Sequence, residues 1–341
     1  MRIGVLDVGS NTTHLLVADA VGGLPLPVHA KKTKLRLAER VDRTGALSAE
    51  AVDRLATAVA GAVGHARSWA VQELFGYATA VIRDAPNRDE ALAAVHERAG
   101  VRLGLLEGRE EAELTFLAAR RWMGWRAGPM LLLDIGGGSL EIAYGNEVTP
   151  DFAVSLPLGA GRLTRERLTG DPPRPNQVRS LRAHVREQLE EVAVRLRWER
   201  AHTVVATSRT FHQLARLCGA PPRRKGPFVS RVLRRADLKE QVDLLARLSE
   251  AERARLPGIS VARARQSLAG AIVAHTAMSM FGLREVTVCP WALREGILLR
   301  RVETPDGWGE RALRFGVRAP RPAVPPDDYA DVVQLPVSSA S

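Results

Sequence analysis

The chain has 341 residues, of which 45% are hydrophobic and 5% aromatic, and a formal net charge of +11. This length suits two domains, each with its own core, and no apolar run approaches the roughly 20 residues of a membrane span. Two cysteines are too few for a disulfide framework or a zinc cluster. A polyanionic partner would explain the positive charge, and so would a compositional bias toward arginine. Nucleic acid is not favoured, because no basic run is interleaved with aromatic residues.

The first part of the chain alternates between strand-like and helix-like patterns. Apolar runs bounded by turn residues predict strands over 3–8, 14–20, 28–37, 73–78 and 101–106. Ser48 and Asn87 are typical N-cap residues of helices, and apolar residues recur at helical spacing behind Ser48. The helix capped by Asn87 is expected to end at Arg98, and a further helix is expected over 110–122.

The pattern begins again after residues 124–129, which form the expected boundary between a lobe of residues 1–126 and a lobe of residues 127–303. Later strands are expected within 130–144 and at 204–206 and 286–289, and helices over 176–197, 263–280 and 292–301. We expect the last helix to cross back to the first lobe. Proline, glycine and polar residues increase from Thr304, so residues 304–341 are expected to be a disordered tail. Alternating strands and helices indicate an α/β fold.

One short motif occurs twice. Each copy is an apolar run that ends in Asp, followed by an apolar residue, glycine and small polar residues: Asp7-Val8-Gly9-Ser10-Asn11-Thr12 and Asp134-Ile135-Gly136-Gly137-Gly138-Ser139. Glycine lets the backbone approach an anion closely, and the small polar side chains add donors. A hairpin turn in the first copy and a loose connector in the second are the alternatives. Two copies predict related lobes that bind one phosphate-rich ligand between them.

Carboxylates and one arginine complete the set of candidate residues. Asp134 and Glu141 would form an oxygen site for Mg²⁺ or Mn²⁺ if both face the cleft, but strand alternation would equally place Glu141 in solvent. The acidic run at 110–113 lies in the first turn of a helix, where such residues are usually solvated. Arg83 follows a strand end, where it can bind phosphate with two N–H groups or remain an ordinary surface residue.

These segments together resemble the exopolyphosphatase/guanosine pentaphosphate phosphatase family, which belongs to the superfamily of sugar kinases, actin and heat-shock chaperone ATPases. The resemblance extends from Met1 to about Arg301 and is greatest to the short, two-domain actinobacterial exopolyphosphatases. Besides the two loops, it rests on residues 78–87, 106–114, 155–164, 206–208 and 291–296. The chain departs from the family at Arg209, where many members carry glycine, and at Arg265 and Gln266, where an aspartate is common.

The resemblance implies an α/β fold of two related actin- and sugar-kinase-like (ribonuclease H-like) lobes with a phosphate-binding cleft between them. It implies that Glu111 is the catalytic residue, which we expect to act as a general base. We expect a divalent metal, Mg²⁺ or Mn²⁺, to be held near Asp134 and Glu141. The implied phosphate-binding residues are Ser10, Asn11, Thr12, Arg83, Gly136, Gly137, Gly138 and Ser139.

The function expected on these grounds is hydrolysis of terminal phosphate from inorganic polyphosphate, with short chains preferred, in the cytoplasm and away from membranes. Removal of the 5′ γ-phosphate of guanosine pentaphosphate is the nearest alternative, and guanosine tetraphosphate is a related candidate ligand. A kinase that uses ATP and a non-catalytic sensor of polyphosphate or nucleotide are the others. A homodimer is left open.

Overall fold

Two mixed β-sheets form the framework of the computed structural model, which describes residues 1–21, 24–37, 40–42, 44–304 and 311–314. In chain order the strands are β1 (Arg2–Val8), β2 (Thr12–Val21), β3 (Leu24–Lys34), β4 (Glu73–Ala78), β5 (Gly104–Leu105), β6 (Met130–Ile135), β7 (Leu140–Gly145), β8 (Phe152–Leu156), β9 (Thr203–Thr207), β10 (Val232–Arg234), β11 (Glu285–Val288) and β12 (Leu313–Arg314). The helices are α1 (Ala49–Ser68), α2 (Ala80–Arg83), α3 (Arg88–Ala99), α4 (Gly108–Met123), α5 (Ala160–Arg167), α6 (Pro175–Leu196), α7 (Ser208–Leu217), α8 (Arg235–Leu245), α9 (Glu250–Arg253), α10 (Ser267–Met280) and α11 (Leu293–Glu303).

The two sheets repeat one topology. In the first, β3, β2 and β1 are antiparallel neighbours, and β4 and then β5 follow in parallel. In the second, β8, β7 and β6 are antiparallel, and β9 and then β11 follow in parallel. This repetition confirms the predicted α/β fold of two related lobes. β12 and β10 are additions outside the repeat, each antiparallel to its neighbour.

Helices α4 and α11 lie between the sheets and join the lobes. Helix α11 packs on β1, β2 and β3 of the first sheet, as expected for a helix that crosses back, and α4 packs on β6, β7 and β8 of the second. The two helices approach closely, because a Cβ at Gly296 would lie 2.0 Å from the carbonyl oxygen of Leu114. The bidentate ion pair of Arg301 with Glu73, at 2.7 and 3.1 Å, anchors α11 to the first lobe.

The outer faces of the sheets carry the remaining packed helices. Helices α1 and α3 cover the first sheet, and α10 lies against α5, α6 and α8 on the second. Ser48 caps α1 as predicted, because its side chain accepts a hydrogen bond from the N–H of Ala51. Asn87 precedes α3 but does not cap it, since its side chain instead bonds both backbone groups of Leu47.

Several predicted boundaries differ from the structure by more than two residues. The strand expected over 28–37 is Leu24–Lys34. The strand expected over 101–106 is only Gly104–Leu105, and the helix expected from residue 263 begins at Ser267, because Val261–Arg263 forms a 3₁₀ turn. The tail expected to be disordered from Thr304 contributes β12, which pairs with Glu73 and Leu74 of β4. Residues 305–310 and 315–341 lie outside the described residues, and no described helix is long and apolar enough to cross a membrane.

Candidate active site

The repeated loops of the two lobes touch each other. A Cβ atom at Gly137 would lie 1.9 Å from Oγ and 2.9 Å from Cβ of Ser10, so a larger residue would displace the first loop. The side-chain amide of Asn11 donates to the same Oγ at 3.2 Å. Both loops therefore present their polar groups to a shared space at the carboxyl ends of β1 and β6.

In the second loop two carbonyl groups are hydrogen-bonded within the described part of the protein, whereas two N–H groups are not. The carbonyl of Gly136 accepts from the N–H of Ala160 at 3.0 Å, and that of Gly137 accepts from the N–H of Arg162 at 2.9 Å. Within the described residues, the N–H groups of Gly137 and Gly138 have no acceptor from the protein. Free, adjacent N–H groups are the feature that binds phosphate oxygens, so the predicted cradle is supported over a loose connector.

The first loop is closed by Thr12. This residue starts β2, and its carbonyl accepts from the N–H of Gly9 at 3.0 Å. The carbonyl of Asn11 accepts from the N–H groups of Leu35 and Arg36, which ties the loop to the end of β3. The loop is thus a braced turn, and contact of the Thr12 side chain with phosphate stays a prediction.

Asp134 and Glu141 lie on the same face of the second sheet, because they are directly paired across β6 and β7. Glu141 is only 2% exposed, so the alternative that it lies in solvent is wrong. Its Oε1 accepts from Oγ of Ser155 at 2.8 Å, and Oδ2 of Asp134 accepts from Oγ1 of Thr207 at 2.7 Å. Each carboxylate is fixed in place by a hydroxyl donor.

Glu111 is the member of the acidic run that faces these carboxylates. Its Oε2 is buried without a hydrogen bond and lies 3.8 Å from Nη1 of Arg83. Glu110 and Glu113 instead pair with Arg311 and with Arg109 near the surface. The interpretation as a solvated first-turn residue therefore applies to Glu110 and fails for Glu111, and Glu113 lies beyond the first turn.

The carboxylates raise one another's pKa values in a buried setting. Burial, and then the charges of Glu141, Asp7 and Asp134, raise the pKa of Glu111 well above its ordinary value, while Arg83 lowers it. Burial raises the pKa of Asp134 to about 6, and burial with the charge of Asp134 raises the pKa of Glu141 to about 7. The site therefore holds more negative charge than its own cations neutralise.

Arg83 reaches the same space from the first lobe. Its Nη1 donates to the carbonyl of Leu106 at 2.8 Å, and its Nε donates to Asp84 at 3.1 Å. Within the described residues, Nη2 has no such partner. The interpretation of Arg83 as an ordinary surface residue does not fit a guanidinium held on two sides and directed toward Glu111.

The donor set fits a divalent cation in part. Among the described residues, no group of three histidine, cysteine, aspartate or glutamate side chains is placed to hold a metal. Asp134 and Glu141 nevertheless offer two adjacent carboxylates whose pKa values are raised, so a cation there would relieve unneutralised charge. Mg²⁺ commonly takes one or two carboxylates and fills its other positions with phosphate oxygens and water.

Comparison with known proteins agrees with this geometry. The model of the Ppx/GppA phosphatase family matches residues 16–304. The chain belongs to the Ppx/GppA phosphatase family. It is 46% identical to Exopolyphosphatase 1 of Mycobacterium leprae, over 94% of this chain and 95% of that one. It is also 58% identical to an uncharacterised protein of Streptomyces coelicolor, over 96% of this chain and 98% of that protein.

A solved structure shows the same fold. The crystal structure of an exopolyphosphatase from Cytophaga hutchinsonii matches with a TM-score of 0.81 at 24% identity, covering 89% of this chain and 98% of that one. The predicted membership of the Ppx/GppA family is confirmed by the family model and by the 46% identity to Exopolyphosphatase 1.

The sequence did not predict that several basic side chains of this Ppx/GppA phosphatase lie together beside the cleft. Nη1 of Arg294 lies 3.1 Å from Oδ2 of Asp7. Burial and the positive charges of neighbouring arginines lower the pKa of Lys32 to about 8. Burial and the charge of Arg209 lower the pKa of Arg263 to about 10. We call the set the cation cluster; its members are Lys32, Arg209, Arg223, Arg263 and Arg294. The available signals were the net charge and the departure at Arg209.

Proposed function

We propose that this Ppx/GppA phosphatase hydrolyses the terminal phosphate of linear inorganic polyphosphate. The observation that carries the proposal is the buried, unbonded Oε2 of Glu111, which lies 3.8 Å from Nη1 of Arg83 and is near enough to Glu141, Asp7 and Asp134 for their charges to raise its pKa. The 46% identity to Exopolyphosphatase 1 of Mycobacterium leprae supports the same activity.

The proposed reaction is direct attack by water on the terminal phosphorus. The N–H groups of the second loop, the polar side chains of the first loop and Arg83 bind the terminal phosphoryl oxygens. Glu111 accepts a proton from the water as its oxygen forms the new P–O bond, and the bridging P–O bond breaks with its electrons on the shortened chain. The raised pKa of Glu111 makes it a stronger base than an ordinary carboxylate.

The metal has a supporting place in this proposal. Mg²⁺ or Mn²⁺ would be held by Asp134 and Glu141 and would supply charge neutralisation for the phosphate oxygens. The residues of the chain perform the remaining tasks, which are binding, orientation and proton transfer.

The cation cluster favours polyphosphate over guanosine pentaphosphate. Its members come from both lobes, and burial with neighbouring positive charges lowers the pKa values of Lys32 and Arg263, so an anion bound beside these two residues would be favoured. A linear polyphosphate carries negative charge on every unit beyond the cleft, whereas a guanine base carries none there. Phosphates beyond the cluster gain only diffuse attraction that salt screens, so we propose that short chains are preferred and that single phosphates are released from an end.

Release of orthophosphate from four substrates at equal concentrations of chain ends tests the proposal. We expect short polyphosphate to give the highest kcat/KM, followed by long polyphosphate, with guanosine pentaphosphate and ATP well below both. A higher value for guanosine pentaphosphate would favour the alternative activity, and binding of polyphosphate with no turnover would favour a sensor. The cytoplasmic location and the homodimer stay predictions.

A further inference from the structure

Asp84 lies between arginines of the two lobes. Its Oδ1 accepts from Nε of Arg83 at 3.1 Å, and its Oδ2 accepts from Nη2 of Arg162 at 2.9 Å. Arg83 ends helix α2 in the first lobe, whereas Arg162 lies in α5 of the second. The carboxylate therefore links the phosphate-binding arginine to the opposite side of the cleft.

Arg162 is also bound to the second phosphate loop. Its backbone N–H donates to the carbonyl of Gly137 at 2.9 Å, while its side chain reaches Asp84. Glu166, one turn further along α5, lies within ion-pair distance of Arg162, at 3.6 Å from its Nε. Hydrogen bonds therefore connect Gly137 to Arg162, Arg162 to Asp84, and Asp84 to Arg83.

The link lies beside the reacting groups without being one of them. Asp84 and Arg162 line a polar pocket of about 160 Å³ together with Ser10, Gly137 and Gly138, so the pair borders both phosphate loops. On the other side of Arg83, Nη1 lies 3.8 Å from Glu111. A shift of the Arg83 guanidinium would therefore alter contacts to both phosphate and Glu111.

We propose that Asp84 is a positioning residue for Arg83, and that Arg162 makes this positioning depend on closure of the two lobes. The inference rests on the proposed function. With the lobes apart, Arg162 withdraws from Asp84, and Arg83 loses part of its support. With the lobes together, the second loop and Arg83 can contact the same phosphoryl group.

The pair matters for geometry more than for stability. Both side chains are partly exposed, at 32% for Asp84 and 24% for Arg162, and an ion pair of this kind contributes about 0–1 kcal/mol to folding. A misplacement of about 1 Å at a reacting group can lower a rate by about 100-fold. Loss of the pair should thus reduce turnover while leaving thermal stability almost unchanged.

A double-mutant cycle on polyphosphate hydrolysis tests the proposal. We expect D84N and R162Q each to lower kcat about tenfold, with KM within about threefold because both loops still bind phosphate. The double variant should be no slower than the slower single variant, because both changes remove one link. R162K, which keeps the cation, should recover most of the loss.

The matched control is R182Q, which removes the exposed Arg182–Asp243 pair within the second lobe and should keep wild-type kcat. Wild-type kcat in R162Q, or losses that multiply in the double variant, would overturn the inference. If D84N proves unstable, the kcat values of R162Q and R162K still test the proposed link between Asp84 and Arg162. Should the wild type prefer guanosine pentaphosphate, the proposed function fails, and the same cycle on that substrate still tests Asp84.

Discussion

Replacement of Asp134 by asparagine should stabilise the protein at pH 8 in the absence of divalent cations. Burial raises the pKa of Asp134 from 3.8 to about 6, so holding this carboxylate ionised in the folded state costs free energy. One pKa unit corresponds to ~1.4 kcal/mol, which gives a cost of about 3 kcal/mol. Because the folded-state pKa is raised, this group's contribution to stability is fully present below pH 3.8 and is lost as the pH rises through 6.

Asparagine has the shape of aspartate without its charge, and its amide oxygen can still accept the 2.7 Å hydrogen bond from Thr207. For a chain of this size, ~1 kcal/mol shifts Tm by roughly 2 °C, so we expect D134N to melt about 4–6 °C above the wild type at pH 8 in EDTA. At pH 4 the difference should nearly vanish, because the folded wild type is then protonated at this position.

Thermal unfolding followed by circular dichroism at the two pH values measures this effect. The control is D243N, which changes a half-exposed aspartate paired with Arg182 and should move Tm little at either pH. If D134N melts at or below the wild type at pH 8, the reasoning is refuted. That result would mean that the ionised form of Asp134 does not cost the folded state free energy.

Three further predictions concern the metal, the loop contact and the cation cluster. Excess EDTA should abolish turnover, and Mg²⁺ should raise the Tm of the wild type at pH 8 more than that of D134N; full activity in EDTA would contradict this. G137A should lower kcat/KM at least 100-fold, because its Cβ would lie 1.9 Å from Oγ of Ser10, whereas G61A, with open space around the new Cβ, should be active. On polyphosphate, kcat/KM should fall as salt rises, and R209Q should flatten this dependence; a flat wild-type profile would favour compositional bias.

The repeated lobes could be predicted because each motif is local. A buried strand, a terminal aspartate and a glycine turn occupy about ten consecutive residues, so neither copy depends on the rest of the chain to be recognised. The position of Glu141 could not be predicted in the same way. It depends on the register of β6 and β7, where Glu141 pairs with Asp134, and a slip of one residue would have moved the side chain to the opposite face.

The cation cluster and the Asp84–Arg162 pair could not be predicted, because local sequence patterns do not show which distant residues come together in space. Lys32, Arg209 and Arg294 lie on three different elements of two lobes, and each is an ordinary basic residue in its own segment. Asp84 meets Arg162 across 78 positions of sequence. Only the packing of one lobe against the other brings these charges together.

The exchange of Glu111 for glutamine tests whether this side chain is the general base. Glutamine keeps the size of the side chain but cannot accept the proton from water, so kcat on polyphosphate should fall by about 10²- to 10⁴-fold while KM changes little. The control is E113Q, since Glu113 pairs with Arg109 near the surface, and it should keep wild-type kcat. A kcat for E111Q within about threefold of the wild type would contradict the assignment of Glu111 as the base.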